Sequence, residues 1–320
     1  MFQHVLVPLD TSTLAECVLP HLEALVATWP LRVTLLHVLD PAATADSGSW
    51  DPLRHEVERE RAQGYLEGVA SRVAGAAAEV TTAVENGTAA EVIVRMVRTG
   101  DHDLILLSSH GRGGEGAFSI GSVVAKVFSH ATVSMLVVRA SRAACVPGPR
   151  LRYRTIVTPL DGSARAECVL PTAAALARAH DGKLEVCQVV GAPELPRRVP
   201  LTAEEERLVE RLVAANRREA EVYVAEVTKR LTDQGVAAEG KVEGNGNPSA
   251  VLRAQFERTE PDLVILSAHG YSGDANLPFG SIVLNLLAFA TTSLLVIQDL
   301  DRAARVAAEE RRATQQRIGH

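Results

Sequence analysis

At 320 residues the chain has room for two compact domains, and 47% hydrophobic against 22% charged residues, with 23 Gly and 15 Pro, argues against a disordered, collagenous or disulfide-scaffold protein. A net charge of -6 supplies no broad positive field for a polyanion, so nucleic acid is not expected as a main partner. No apolar run reaches the roughly 18 residues a membrane-spanning helix needs, and the opening MFQHVLVPLD meets Asp10 with no basic segment before it, which points to a cytoplasmic protein with no membrane partner.

In chain order, the runs His4–Leu9, Val33–Leu39, Val80–Glu85, Leu104–Ser108 and Ser134–Arg139 are short, rich in β-branched residues and not cleanly alternating, as strands covered on both faces are. Between them Leu14, Cys17, Val18, Leu22 and Leu25 follow helical spacing, and Leu53, Val57, Leu66 and Val69 do so more loosely. Thr88 with Glu91 reads as a capping box. A linker follows at Ala140–Arg152, marked by Pro147, Gly148 and Pro149.

The chain then repeats itself. HVLVPLDTSTLAECVLP from His4 returns as TIVTPLDGSARAECVLP from Thr155, and LILLSSHG from Leu104 returns as LVILSAHG from Leu263. The second copy carries eight extra residues between these blocks, placed around Pro193–Ala203 ahead of a long helical pattern. Thr202 with Glu205 is a second capping box, and Asn247 before Pro248 gives a cap and a first helical residue. Pro20 and Pro171 occupy matching positions inside the first helix of each copy and predict a kink there. The predicted organisation is therefore a domain over 1–145, a second over 146–300 and a polar tail over 301–320. Five strands alternating with helices give an α/β fold of two tandem domains, each an open five-stranded parallel sheet with helices on both faces. Cys17, Cys145, Cys168 and Cys187 form no CxxC pair, which fits a reduced compartment rather than a metal or disulfide site.

In such a sheet, ligands bind beyond the carboxyl ends of the strands where strand order reverses, so the residues after strands one and four matter most. After strand one come Pro8, Leu9, Asp10, Thr11 and Ser12, matched by Pro159, Leu160, Asp161, Gly162 and Ser163. A carboxylate there can accept hydrogen bonds from an amine or a ribose hydroxyl, or it can cap the next helix together with Ser12 or Ser163; both readings stand. After strand four, Ser108, His110, Gly111 and Arg112 lead, nine residues past Gly111, to Gly121 and Ser122. The same spacing joins Ser267 and Gly270 to Gly280 and Ser281. Glycine at 111 and 270 permits close approach to the main chain, and Gly-Ser ahead of the apolar helices beginning at Val123 and Ile282 offers free amides at a positive helix end, suited to phosphate. The alternative is a structural turn and cap. Gly111, Gly113 and Gly116 spell GxGxxG but follow the fourth strand with no acidic residue closing the next one, so a dinucleotide fold is not indicated. His110 and His269 have no carboxylate orienter within their motifs and are expected to make structural hydrogen bonds. No GxxxxGK[ST] occurs.

At these residues the chain resembles the universal stress protein family in its tandem form, whose signature is G-x2-G-x9-G-[ST] after strand four with Pro-x-Asp after strand one. The resemblance covers residues 1 to about 299. It implies a Rossmann-like, adenine-nucleotide alpha-hydrolase-like fold, with ATP and Mg bound so that adenine lies near the Asp and a strand-two Val, and the phosphates along the glycine loop. Carried over, this adds Val38 to the first site and Val189 to the second. Departures are Ser108 and Ser267 in place of the signature's first Gly, and in the second copy Asp274, Pro278 and Tyr271, the last standing where the first has Arg112. The first site is therefore expected to be the better one. The family pairs domains through the fifth strand, so Val133–Val138 and Leu294–Ile297 are expected to pair within the chain as a built-in pseudo-dimer, with a homodimer as a further hypothesis. The function implied is a non-enzymatic, ATP-binding stress-response regulator or sensor acting on a protein partner. A protein-interaction module with vestigial sites and a slow ATP hydrolase are the alternatives.

Overall fold

The structure is a computed structural model describing residues 1–40, 52–75, 77–111, 120–140, 150–191, 200–244, 246–271 and 279–299. The first half forms β1 (His4–Pro8), α1 (Thr13–Glu16), α2 (Leu19–Thr28), β2 (Arg32–Leu39), α3 (Pro52–Val73), β3 (Glu79–Asn86), α4 (Ala89–Thr99), β4 (Leu104–Ser108), α5 (Ser122–His130) and β5 (Ser134–Val138). The second forms β6 (Thr155–Leu160), a 3-10 turn (Ala166–Val169), α6 (Leu170–Ala179), β7 (Lys183–Val190), α7 (Ala203–Asp233), β8 (Ala237–Gly244), α8 (Pro248–Thr259), β9 (Leu263–Ser267), α9 (Ser281–Phe289) and β10 (Leu294–Ile297).

Successive side chains of a strand point to opposite faces, and here both faces are covered. Val5 and Val7 pack with Leu22 of α2 and Leu66 of α3, while Leu6 between them packs with Ile93 of α4 and Val127 of α5. The second half repeats the arrangement, with α6 and α7 on the first face and α8 and α9 on the other. The strand order β3-β2-β1-β4-β5-β10-β9-β6-β7-β8 makes one ten-stranded sheet, parallel within each half and antiparallel only where β5 meets β10. The expected intrachain pairing is thus present, with Leu295 opposite Leu136.

Reciprocal polar contacts flank that seam. The Arg139 amide donates to Ser293 Oγ at 3.2 Å, and the matching Gln298 amide donates to Ser134 Oγ at 3.1 Å. The Arg139 guanidinium donates to the carbonyls of Leu286 (3.2 Å) and Leu287 at the end of α9, a cation capping the other half's helix. Burial brings its pKa down to about 10, which leaves it charged at neutral pH. On one face Phe128 stacks on Phe279 at 3.7 Å; on the other His21 Nδ1 lies 2.9 Å from the Tyr153 hydroxyl. Burial pushes His21 down to about 4, so the ring is neutral in this pair.

Two local expectations are corrected. Pro20 and Pro171 do not kink a continuous helix: the chain breaks at α1 or the 3-10 turn, and each proline lies in the first turn of the next helix, where its missing N–H has no intrahelical acceptor to lose. Thr88 stands at the N-cap of α4 but makes no side-chain capping bond, whereas Thr202 and Glu205 form the full box and Asn247 Oδ1 accepts from the Ser249 amide at 3.1 Å. The linker prolines, Cys145 and the tail over 301–320 lie outside the described residues. Among the described residues no helix is long and apolar enough to cross a membrane.

Arg139→Ala removes a charged donor and leaves two carbonyls at the end of α9 unpaired, so it is expected to lower stability by about 1–3 kcal/mol, read as a shift of the urea midpoint.

Candidate functional site

Within each half strand order reverses between the first strand and the fourth, which leaves a crevice at their carboxyl ends. In the first half it is a cavity of about 550 Å3. Pro8, Leu9, Asp10, Val38, Ser108, His110, Gly111, Gly121, Ser122 and Val123 all line it. Thr11 does not, and Arg112 lies outside the described residues. In the second half a cavity of about 320 Å3 gathers Pro159, Leu160, Asp161, Val189, Ser267, Gly270, Gly280, Ser281 and Ile282, with Gly162 off its wall. Thr11 and Gly162 are matching turn positions with φ of 67° and 85°, a left-handed geometry that glycine adopts without strain and threonine does not.

Each conserved-spacing element has a local cause. Asp10 Oδ1 accepts from the Ser12 amide (3.0 Å) and hydroxyl (2.5 Å), and Ser12 Oγ in turn caps α1 by accepting from the Ala15 amide. The capping reading of Asp10 is thus realised, and Asp161 repeats it with Ser163. The other carboxylate oxygen reaches across to the loop after the fourth strand. A Cβ placed on Gly111 would land on Asp10 Oδ2, and one on Gly270 would land on Asp161 Oδ2. In the second half the Tyr271 amide donates to that oxygen at 2.5 Å. The glycines at 111 and 270 are therefore required by the carboxylate of the first-strand loop.

Ser108 stands where the family signature begins with Gly, yet its hydroxyl turns into the protein, 2.8 Å from Leu14 O and 2.6 Å from His110 O; Ser267 bonds His269 O in the same way. The added side chain thus spends its polar group on the loop. Gly121 and Gly280 are the N-caps of α5 and α9 and offer no side chain to the first-turn amides. Ser122, Val123 and Val124 line the cavity at this positive helix end.

The histidines differ between halves. His110 Nδ1 lies 3.1 Å from Ser109 Oγ, and burial followed by the nearby Arg139 charge lowers its pKa, so it is neutral at pH 7. His269 Nδ1 lies 2.7 Å from Asp299 Oδ1, and Asp299 Oδ2 takes the Arg165 guanidinium at 2.6 Å. Burial raises the Asp299 pKa, but the bonds from His269 and Arg165 outweigh it and hold the carboxyl below its usual range. His269 does have a carboxylate orienter, supplied from beyond β10 and so outside the motif. The apolar walls were also missed: Ala89 and Ile93 of α4 and Ile120 in the first half, Pro248, Leu252 and Val283 in the second. For Ala89, Ile93, Pro248 and Leu252 the signal was the inward face of the helix after the third strand; Ile120 and Val283 flank the Gly-Ser helix start.

A duplicated α/β sheet, with a crevice at each switch point walled by a Pro-x-Asp turn and a glycine-capped helix, defines a tandem Rossmann-like protein. The model of the universal stress protein family matches residues 1–139 and again 152–298, and the chain belongs to that family. In structure it is similar to a universal stress protein from Archaeoglobus fulgidus (17% identity, 93% of this chain and 98% of that one, TM-score 0.63). It is also similar to a putative universal stress protein from Pseudomonas aeruginosa (13% identity, 97% of each chain, TM-score 0.67). No curated protein matches the chain.

Gly111→Ala is expected to push Asp10 off Ser12 and cost about 1 kcal/mol through the lost cap, and in an Asp10→Ala background the same change is expected to cost less. Equal costs in both backgrounds, measured by chemical denaturation, would refute the contact.

Proposed function

We propose that the protein binds ATP with Mg in these crevices and acts as a non-enzymatic stress-response regulator or sensor, passing its nucleotide state to a protein partner. The observation that carries this reading is the twinned pairing, in both halves, of an apolar slot with an uncapped helix N-terminus. The slot between Val38 and Ile93 suits a base, and the amides at Ser122 and Val123 suit a phosphate chain. Among the described residues no cluster of His, Cys, Asp or Glu could hold a metal ion by itself, so magnesium would travel on the phosphates. The chain has no P-loop lysine, which favours binding over rapid phosphoryl transfer. Arg112 in the first loop, where the second has Tyr271, supports tighter binding in the first site.

The test separates phosphate binding from folding. Ser122 begins α5 and Ser281 begins α9. An Asp at either position suits the helix dipole but repels phosphate, so Ser122→Asp and Ser281→Asp are expected to keep or slightly raise the melting temperature while weakening ATP binding. Calorimetric titration of ATP with Mg, repeated with GTP, is expected to show the loss of the tighter site in Ser122→Asp. Undiminished affinity in the double variant overturns the phosphate assignment, and no ATP binding in the wild type favours the interaction module with vestigial sites. Multiple-turnover hydrolysis abolished by Asp10→Ala would favour the enzyme.

A further inference from the structure

The turn from Asp10 to Glu16 forms part of the first crevice and holds a strained point. Thr11 stands at φ 67°, in the left-handed region, where its counterpart Gly162 is unstrained. A β-branched residue keeps that geometry only where its surroundings fix it. Asp10 Oδ1 ties the start of the turn through the Ser12 amide and hydroxyl, and Ser108 Oγ donates to Leu14 O in its middle. At its end the Glu16 side chain meets α3: the Tyr65 hydroxyl donates to Glu16 Oε1 at 3.1 Å and the Arg72 guanidinium to Oε2 at 3.0 Å. Ala15, next to Glu16, lines the cavity. Tyr65 and Arg72 stand two turns apart on one flank of α3, beside its buried residues Leu66, Val69 and Val73, while Gln63 on the other flank reaches Thr82 of β3 at 3.0 Å. The turn is thus held to a helix that is itself fixed to the sheet.

The second copy repeats this contact on a helix that has otherwise changed. Aligned on their buried residues, 59–73 of α3 match 217–231 of α7, and outside the buried positions the identities are Arg59 with Arg217, Tyr65 with Tyr223 and Arg72 with Arg230. Two of these pairs address the glutamate of the repeated AECVLP block: Arg230 donates to Glu167 Oε2 at 2.7 Å, as Arg72 does to Glu16. Burial, then the neighbouring glutamate and the charge of Asp10 or Asp161, raises the hydroxyl pKa of both tyrosines, so each lies beside the turn of its own half. The halves differ at one point. The Tyr223 hydroxyl is buried near Glu167 but completes no hydrogen bond, and there the turn has glycine at 162. The complete clamp accompanies the strained turn. We infer that Tyr65 and Arg72, acting through Glu16, are positioning residues of the first crevice, holding the Asp10 turn with its strained Thr11 in the conformation that sets Asp10 against Gly111 and Ala15 in the wall. Their effect on a nucleotide rests on the function proposed above; their effect on the turn does not.

Hydrogen exchange of the full chain without nucleotide, read by mass spectrometry, tests the turn. Tyr65→Phe keeps the ring and removes the donor; it is expected to speed exchange over 9–16 by about fivefold, the equivalent of one hydrogen bond, and to leave α2 and the second turn over 160–167 unchanged. Arg72→Ala is expected to act in the same direction and Arg72→Lys to recover most of the protection. In a Thr11→Gly background, where the strain is gone, Tyr65→Phe is expected to have little effect, as is Tyr223→Phe on the turn at Gly162. A contact that merely pins α3 would speed exchange in α3 and spare the turn. That pattern, or an equal effect of Tyr65→Phe with glycine at 11, overturns the proposal. Calorimetric titration of ATP with Mg adds the ligand: affinity at the first site is expected to fall about fivefold in Tyr65→Phe. Unaltered affinity in a protein that binds ATP also overturns the proposal, whereas a wild type that binds none defeats the proposed function alone, because the exchange result still decides the clamp.

Discussion

A five-stranded parallel sheet in the order 3-2-1-4-5 ends on a strand that must go somewhere. Every residue of β5 is buried, yet in a lone domain its outer edge would present a row of unpaired amides and carbonyls beside an apolar surface. The second half has the same strand in β10, equally buried, and joining the two satisfies both edges at once. Because the halves face each other across an approximate two-fold, the joint is antiparallel although all other pairings are parallel. That single pairing sets the rest of the architecture. It merges the hydrophobic layers of the halves into two cores that each run through the whole molecule, and it moves the free edges out to β3 and β8, whose residues are largely half-exposed and polar.

The antiparallel joint also fixes where the crevices lie. Carboxyl ends of β1 and β4 point one way and those of β6 and β9 the other, so the two candidate sites open at opposite ends of the sheet. They are nonetheless connected through the seam. α5, whose first turn lines the first crevice, carries Phe128 against Phe279, the residue next to the N-cap of α9 at the second. The far end of α9 is held by Arg139, which follows β5. Each helix whose first turn lines a crevice is thus braced by the opposite half, a rigidity that a lone domain would have to supply from within.

Legibility in the sequence followed the range of the interaction. The strands, the internal repeat and the Gly-Ser helix starts were readable because each rests on periodicity or on residues a few positions apart. The prolines were misjudged for a local reason: Pro20 and Pro171 sit in otherwise helical spacing, and nothing in that spacing reveals that the chain restarts at Leu19 and Leu170. The Asp–Gly contact, the inward turn of the Ser108 hydroxyl and the bond from Asp299 to His269 join residues tens of positions apart. No spacing rule reports them, since they arise only when β1 lies beside β4, β6 beside β9, and β9 beside β10.

Those long-range contacts are also where the halves part company. The loops keep Gly111 and Gly270, because a side chain there would displace Asp10 or Asp161, and this steric demand is independent of any ligand. Where no such demand acts, the second half has changed: Ile120 is matched by Phe279, which fills the seam, Ala140 by Asp299, which ties the end of β10 to His269 and Arg165, and α3 by the longer α7. The first two changes add a contact at the seam or beside it, while the crevice residues Asp161, Gly270 and Gly280 stay in place. The spacing between the first-strand loop and the glycine after the fourth strand therefore has a physical source in the packing of carboxylate against glycine, which a charge at Ser122 or Ser281 leaves in place.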